Sequence, residues 1–179
     1  MAGFLIAIVT ILSAPRENLA AAPDMLGKLN LSTYPSATKA PPFSGRTTTD
    51  QVVSLAGLQG RVVLLNFWAT WCQECRPEMP MFQRLHREFA PQGLSVIGIN
   101  AREETPAIQK YAKELGLNFP LVLDAKGEIN AAYGVIGLPA TFLIGRDGRA
   151  VARAVGPREW SGEQALAIIR ALLAERSQR

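Results

Sequence analysis

The sequence is short of the two side chains that most often bind transition metals. Its 179 residues include two cysteines, Cys72 and Cys75, and one histidine, His86. Two cysteines cannot build the network of bridges that stabilises small secreted scaffolds. A bridge between them closes so short a loop that it removes little entropy from the unfolded chain, which argues against a structural staple. Structural zinc takes four ligands, and a c-type haem needs a histidine where Arg76 stands, so redox chemistry remains.

Concentrated positive charge is also missing. Lys and Arg number 19 against 15 Asp and Glu, which leaves a formal net charge of +4. The basic residues are scattered, and the densest group is Arg170, Arg176 and Arg179 near the C-terminus. Because nucleic-acid sites cluster Lys and Arg among aromatic residues, no nucleic-acid partner is expected. The hydrophobic content of 48% is enough for the core of one domain with an N-terminal appendage.

No apolar run has the length of a comfortable membrane span. Residues 3–14 are uncharged, but the run is shorter than the about twenty residues that a spanning helix needs. The length suits the apolar region of a secretory signal, and Ala20-Ala21-Ala22 supplies a cleavage pattern, although no Lys or Arg precedes the run. We expect residues 1–22 to be a signal peptide or N-terminal anchor. The protein would then be periplasmic or extracytoplasmic, either soluble or anchored to the membrane by its N-terminus.

Past this segment, the composition changes twice. Residues 23–42 are rich in Pro, Ser, Thr and Ala without a sustained period, so they are predicted to be a linker that precedes a domain over residues 43–179. Within the domain, continuous apolar runs are typical of central strands that are buried on both faces of a sheet. The Asp147-Gly148 pair indicates a hairpin between antiparallel strands.

The pattern as a whole predicts an α/β fold with a mixed central sheet flanked by helices. A strand pair or extended segment is expected within residues 47–60. The remaining predicted strands lie at 61–67, 94–99, 121–123, 140–144 and 150–155, and the predicted helices at 72–90 (bent at Pro80), 105–115, 128–133 and through 166–173.

Cys72 and Cys75 follow a buried strand and open a predicted helix. At a helix N-terminus, unpaired backbone N–H groups and the positive end of the dipole favour the thiolate, which is the reactive form. In a Cys-x-x-Cys pair the second thiol is close enough to attack a mixed disulfide formed at the first. We therefore predict a redox-active disulfide in which Cys72 attacks and the more buried Cys75 resolves. The preceding tryptophans, Trp68 and Trp71, are candidates to flank a substrate groove, and Trp68 suits the core equally well.

The same residues allow other functions. Two thiolates suit Cu(I), so a Cu(I)-binding metallochaperone module is the alternative, although His86 lies about a helical length away. A thiol peroxidase needs an isolated cysteine rather than a close pair. Trp160 is interpreted as a packing residue. No cofactor and no resident metal are expected.

Residues 66–80, Asn-Phe-Trp-Ala-Thr-Trp-Cys-Gln-Glu-Cys-Arg-Pro-Glu-Met-Pro, resemble the TlpA/ResA type of thioredoxin-fold thiol–disulfide oxidoreductase. A second motif at 137–142, Gly-Leu-Pro-Ala-Thr-Phe, is similar to the cis-proline loop of that family, and the resemblance covers residues 43–174. It implies a thioredoxin-like fold in which Pro139 is cis and faces the dithiol. The backbone at Leu138 would then pair with an extended substrate segment, and Trp71 is a further candidate for substrate binding.

The resemblance also implies a role for Glu78. In this family the glutamate after the second cysteine assists proton movement, which a partly buried carboxylate can do at a suitable pKa. Without the resemblance, a surface glutamate favoured by the helix dipole would be the simpler interpretation. Asn66 stands where thioredoxin itself carries a buried aspartate, and an amide cannot act as a base. This places the chain with the TlpA-like branch.

The two residues between the cysteines bear on the redox direction. Glu74 puts a negative charge near the thiols, which disfavours the thiolate and so stabilises the disulfide. We therefore predict a low-potential reductant. The resemblance implies an exported reductase for disulfides of partner proteins, such as apocytochrome c or copper-centre assembly proteins, with a membrane thiol donor that re-reduces the pair. A monomer is expected, either free or on a membrane tether.

Overall fold

A computed structural model describes residues 23–35 and 38–175. The predicted signal peptide or anchor at residues 1–22 lies outside the described residues. Within them, no helix is both long enough and apolar enough to cross a membrane. The strands are β1 (Ser32–Thr33), β2 (Ser44–Arg46), β3 (Val52–Ser54), β4 (Val62–Trp68), β5 (Leu94–Ala101), β6 (Leu121–Asp124), β7 (Ala140–Ile144) and β8 (Ala150–Val155), and the helices are α1 (Pro23–Gly27), α2 (Glu78–Phe89), α3 (Thr105–Leu115), α4 (Glu128–Ala132) and α5 (Glu163–Ala174).

Six strands form one mixed sheet in the order β1-β8-β7-β4-β5-β6. The strands β4, β5 and β6 are parallel, whereas β7, β8 and β1 are each antiparallel to their neighbours. All seven residues of the central strand β4 are buried. Its side chains alternate between two apolar clusters, one containing Val62 and Leu64 and the other Val63 and Leu65. The predicted mixed sheet flanked by helices is therefore confirmed.

The hairpin of β7 and β8 is antiparallel as predicted, with Phe142 opposite Arg153. Its turn contains Gly148 at φ +77°, a backbone conformation that favours glycine. The N–H of Arg149 donates to Oδ1 of Asp147 at 3.0 Å, so the aspartate stabilises the turn from within.

The first hairpin is displaced from its predicted position. Its strands are β2 and β3, and the threonines expected in the strand form the turn. The hydroxyl of Thr47 accepts hydrogen bonds from the N–H of Thr49 at 3.3 Å and of Gln51 at 3.1 Å. Local bonds of this kind compete with strand pairing, which explains the difference.

The segment assigned to a linker on its composition contributes to the fold. It contains α1 and also β1, which pairs with β8 at the edge of the main sheet. Leu26, Leu29 and Leu31 are buried in the apolar cluster that also contains the two cysteines. Three leucines in a short segment can bury substantial apolar area without any helical or strand period. The sequence of this segment therefore looks like that of a linker.

Helix α2 begins later than its apolar period indicates. We expected it to start at Cys72, but it starts at Glu78, and residues 73–77 form turns. In these turns the N–H of Cys75 donates to the carbonyl of Cys72, and the N–H of Glu78 donates to the carbonyl of Cys75. Pro77 disfavours helical geometry at the residue before it. Pro80 lies in the first turn, where its missing N–H removes no helical hydrogen bond, so the predicted bend has no cause there.

Candidate active site

Cys72 and Cys75 lie in the loop that follows the central strand β4, and they form a disulfide with 5.3 Å between their Cα atoms. Both are buried, and Cys72 is the more accessible, with 6% of its surface exposed against 1% for Cys75. The N–H of Cys75 donates to Sγ of Cys72 at 3.2 Å. Such a donor also stabilises a thiolate on Cys72 once the pair is reduced. Because α2 begins at Glu78, the turn between the cysteines supplies this N–H.

Glu78 is a buried carboxylate in the first turn of α2, with 1% of its surface exposed. Its N–H donates to the carbonyl of Cys75 at 3.0 Å, so it lies one turn after the pair. Oε1 accepts hydrogen bonds from the backbone N–H of Arg158 at 2.8 Å and from Nε1 of Trp160 at 2.7 Å. No hydrogen-bond partner among the described residues reaches Oε2.

Burial raises the pKa of Glu78 from 4.5 to about 7. The two hydrogen bonds to Oε1 and the charge of Arg158 act in the opposite direction, because each favours the ionised form. The burial effect is larger. A carboxyl group with this pKa can accept and return a proton near neutral pH.

Trp160 and Arg158 are site residues that sequence reasoning missed. Trp160 is buried and packs against Phe82 with ring centroids 5.7 Å apart, as the packing interpretation requires, but its indole N–H also reaches Glu78. Arg158 was not singled out at all. Neither residue lies near Glu78 in the sequence. The only available signal was the presence of a buried-type aromatic and an arginine beside the turn at Gly156 and Pro157.

A second carboxylate, Glu103, supports the loop that carries the pair. One of its oxygens accepts hydrogen bonds from the N–H of Thr70 at 2.7 Å and from Nδ2 of Asn100 at 2.8 Å. The other oxygen accepts a hydrogen bond from the hydroxyl of Thr70. Glu103 therefore ties the loop before Cys72 to the end of β5.

The predicted substrate-binding residues lie at the same edge of the sheet. The Leu138–Pro139 peptide is cis, as the resemblance implies. Phe67 pairs with Ala140, so the start of β7 lies beside the end of β4 that leads to Cys72. Leu138 is half-buried and packs against the cluster that contains both cysteines.

Two large apolar side chains near this edge are exposed. Trp71, directly before Cys72, has 66% of its surface exposed, and Ile136, in the loop before Leu138, has 96%. Trp68 is fully buried and packs against Tyr111 with ring centroids 5.2 Å apart, so of the two tryptophans only Trp71 is available to a partner. Ile136 was not anticipated, because exposure cannot be inferred from a short loop sequence.

Asn66 is buried on β4 opposite Thr141 of β7. Its Nδ2 donates to the hydroxyl of Thr141 at 3.0 Å. The neutral amide of Asn66 cannot take a proton from a thiol. The buried group near the pair that can do so is the carboxylate of Glu78.

The part of the chain at 23–35 and 38–175 contains no group of three or more His, Cys, Asp or Glu residues that could hold a metal ion. The ring of His86 lies instead near Phe119, with centroids 6.3 Å apart. Desolvation, with a smaller effect from the charge of Arg61, lowers the pKa of His86.

The fold and the site together define a class. A mixed sheet flanked by helices, a Cys-x-x-Cys pair after its central strand and a cis-proline before the neighbouring strand are the features of a thioredoxin-fold dithiol protein. The AhpC/TSA family model matches residues 37–153. The chain belongs to this family.

Comparisons with individual proteins narrow the class. The chain is 38% identical over 112 residues to the thiol-disulfide oxidoreductase ResA of Bacillus subtilis (strain 168), which is 63% of each chain. It is 36% identical over 126 residues to ResA of Bacillus thuringiensis subsp. konkukian, covering 70% of this chain and 69% of the relative. A structure described as a candidate thiol:disulfide interchange protein DsbE from Chlorobium tepidum has a TM-score of 0.72 and 32% identity, covering 81% of this chain and 100% of that one.

Within the AhpC/TSA family the chain therefore groups with the ResA type of thiol–disulfide oxidoreductase. This confirms the resemblance noted at residues 66–80 and 137–142. The match spans slightly less than two thirds of the Bacillus subtilis relative, at 63% of its length.

Proposed function

We propose that the protein is an exported protein-disulfide reductase that passes two electrons from a membrane thiol donor to disulfides of partner proteins. Family membership supports thiol–disulfide exchange as the reaction. The negative charge of Glu74 beside the pair acts in the reducing direction, by a small amount because solvent screens this exposed side chain.

The reaction has two exchange steps. In the reduced protein, the Cys72 thiolate attacks one sulfur of the partner disulfide, which forms a mixed disulfide and releases the other partner sulfur as a thiolate that takes up a proton. Cys75 then gives its proton to Glu78 and attacks Sγ of Cys72. This forms the Cys72–Cys75 disulfide and releases the second partner sulfur as a thiolate, which takes up the proton held by Glu78. The partner thus gains two electrons and two protons. The donor dithiol later reduces the pair by the same exchange chemistry.

The observation that carries this proposal is the buried Glu78 one turn from Cys75. A thiol is mostly protonated at neutral pH and must lose its proton before it can attack. A carboxylate whose pKa is about 7 is suited to accept that proton. No hydrogen-bond partner among residues 23–35 and 38–175 reaches Oε2, so this oxygen is the one suited to accept the proton.

We propose that partners bind at the edge formed by Trp71, Leu138 and Pro139. An extended segment that carries the target disulfide would pair with the backbone at Leu138 and cover the exposed indole of Trp71. Ile136 adds apolar surface close to Leu138 in the loop. Burial of the exposed side chains of Trp71 and Ile136 would contribute binding energy without requiring one particular partner sequence.

Oxidised apocytochrome c and copper-centre assembly proteins are the partners that the resemblance implies. The apolar run at residues 3–14, followed by Ala20-Ala21-Ala22, supports export, with the N-terminus either cleaved or kept as a tether.

A trapping experiment tests the reaction. Reduced Cys75→Ser protein is mixed with an oxidised Cys-x-x-Cys-His peptide and, separately, with oxidised insulin, and the adducts are identified by mass spectrometry. We expect a mixed disulfide on Cys72 that dithiothreitol releases. The Cys72→Ser/Cys75→Ser variant is the control. If Cys75→Ser captures no more than this control, the reductase proposal is wrong.

The redox direction has its own measurement. Equilibration with glutathione or thioredoxin buffers gives the reduction potential of the pair. We expect a value well below the potential of strongly oxidising disulfide donors, on the order of −120 mV. A value near or above that level would instead make the protein an oxidant.

A further inference from the structure

The side chain of Arg158 connects the active-site loop to the N-terminal segment. Its Nε donates to the carbonyl of Leu29 at 2.9 Å, and its Nη2 donates to the carbonyl of Asn30 at 3.0 Å. Its Nη1 donates to the carbonyl of Pro157, at 2.8 Å, within its own loop. The backbone N–H of the same residue donates to Glu78. One residue thus joins the segment before β1 to the carboxylate beside the cysteines.

The turn that receives Arg158 is held in place from both sides. Asn30 has a left-handed backbone with φ of 55° and an exposed side chain. The N–H of Asn30 donates to the carbonyl of Gly27 at 2.9 Å, and the N–H of Leu31 donates to the carbonyl of Leu26 at 3.1 Å. Leu26, Leu29 and Leu31 are buried. The two carbonyls that bind Arg158 are therefore fixed relative to the core.

We propose that residues 26–31 are a positioning element of the active site, and that Arg158 is the positioning residue through which this turn holds the hydrogen-bond donors of Glu78 in place. The catalytic meaning of this inference rests on the proposed role of Glu78. The coupling itself is a property of the oxidised protein and needs no partner. Anchoring the guanidinium fixes the loop at 157–160, and with it the N–H of Arg158 and the indole of Trp160.

Few other charged or titratable groups in the neighbouring segments could change the pKa of Glu78. From the loop after β8, Arg158 is the charged residue that acts on it, while Glu159 accepts a hydrogen bond from Ser161. From the turn before α2, the cysteines are disulfide-bonded and do not titrate. In the N-terminal turn, Lys28 is exposed.

The test measures the titration of the Glu78 carboxyl by ¹³C NMR in the oxidised protein, with Glu78→Gln to assign the signal. Arg158→Lys keeps the positive charge but cannot bind both carbonyls as the guanidinium fork does. Asn30→Val strains the left-handed turn, because a β-branched residue disfavours positive φ. Asn30→Gly is the matched control, because glycine adopts this conformation readily.

We expect Arg158→Lys and Asn30→Val each to raise the pKa of Glu78 by about 0.5 to 1 unit, because both weaken hydrogen bonds that favour the carboxylate. Asn30→Gly should leave it unchanged. A shift in Arg158→Lys alone would confine the effect to the loop, and a shift in Asn30→Val alone would rule out the route through Arg158. Either result overturns the proposal. An unchanged pKa of Glu78 in both variants would also overturn it, and so would a lower pKa, which signals that water has entered the site. A failed trapping experiment with the shifts intact would instead count against the reductase function.

Discussion

Two glutamates lie close to the cysteine pair, and the structure gives them different environments. Glu103 has hydrogen-bond donors on both oxygens, from Thr70 and Asn100, and holds the loop before Cys72. Glu78 has both of its donors on one oxygen, from Arg158 and Trp160, and within the described part of the chain its other oxygen has no partner. A carboxylate with every oxygen bonded is suited to holding structure. A buried one with a free oxygen and a raised pKa is suited to proton transfer.

The largest expected effect is on how stability depends on pH. The pKa of Glu78 rises from 4.5 in the unfolded chain to about 7 in the folded one. The protonated carboxyl therefore stabilises the folded state fully below pH 4.5, and this stabilisation is lost as the pH rises through 7. Between pH 4 and pH 8, we expect the free energy of unfolding of Glu78→Gln to rise by about 3 kcal/mol relative to that of the parent protein. Urea unfolding at the two pH values measures this. A pH-independent difference would contradict it.

The same substitution should slow the chemistry. Without a base, Cys75 must lose its proton to water, so release of the partner from the mixed disulfide should fall about 100-fold near pH 7. The gap should narrow at higher pH, as the thiol ionises by itself. Stopped-flow measurement of the release rate against pH tests this. An unchanged rate at pH 7 would remove Glu78 from the mechanism.

Replacing Glu103 should lower the stability of the protein without changing how the release rate depends on pH. Glu103→Ala removes both acceptor oxygens, so the N–H of Thr70 and the side-chain amide of Asn100 lose their acceptor, which should cost about 2 kcal/mol of unfolding free energy. The pH profile of the release rate should keep its shape. A stability loss with an unchanged profile would support the contrast between the two glutamates. A profile that changes as it does in Glu78→Gln would break it.

Glu74 is a third glutamate near the pair, and it is exposed to solvent. Its replacement should have the smallest effect, which is on the reduction potential. Solvent screens its charge, so Glu74→Gln should raise the reduction potential by only about 10 mV, because loss of the negative charge favours the dithiol. Gln73→Glu is the matched opposite change and should lower it. Equilibration in glutathione buffers resolves such shifts. A lower potential in Glu74→Gln would show that the predicted direction of this charge effect is wrong.

The parts of the fold that sequence reasoning predicted depend on local patterns. The unbroken apolar run at 61–67 predicted β4, because a strand buried on both faces has no polar alternation. The turn at Asp147-Gly148 predicted the β7–β8 hairpin, because the turn conformation is determined within a few residues. The cysteine pair and Pro139 were identified from short motifs in the same way.

The parts that it missed depend on contacts between distant residues. Residues 23–35 carry no period, yet their leucines complete the core around the cysteines. The apolar period of α2 extended back to Cys72, while the prolines delayed the helix to Glu78. Trp160 was assigned to packing because its indole N–H meets Glu78 only after α2 and the loop before α5 come together.

The sequence by itself determined the chemistry available to this protein: one pair of thiols at the end of a central strand, with too few other metal-binding side chains for a common metal site. The tertiary structure alone decided the surroundings of Glu78, which is buried and whose Oε2 has no hydrogen-bond partner among the described residues. The pKa of a glutamate depends on how much water its neighbours exclude and on which of its oxygens they bond. For Glu78, the two hydrogen-bond donors come from Arg158 and Trp160, 80 and 82 residues further along the chain.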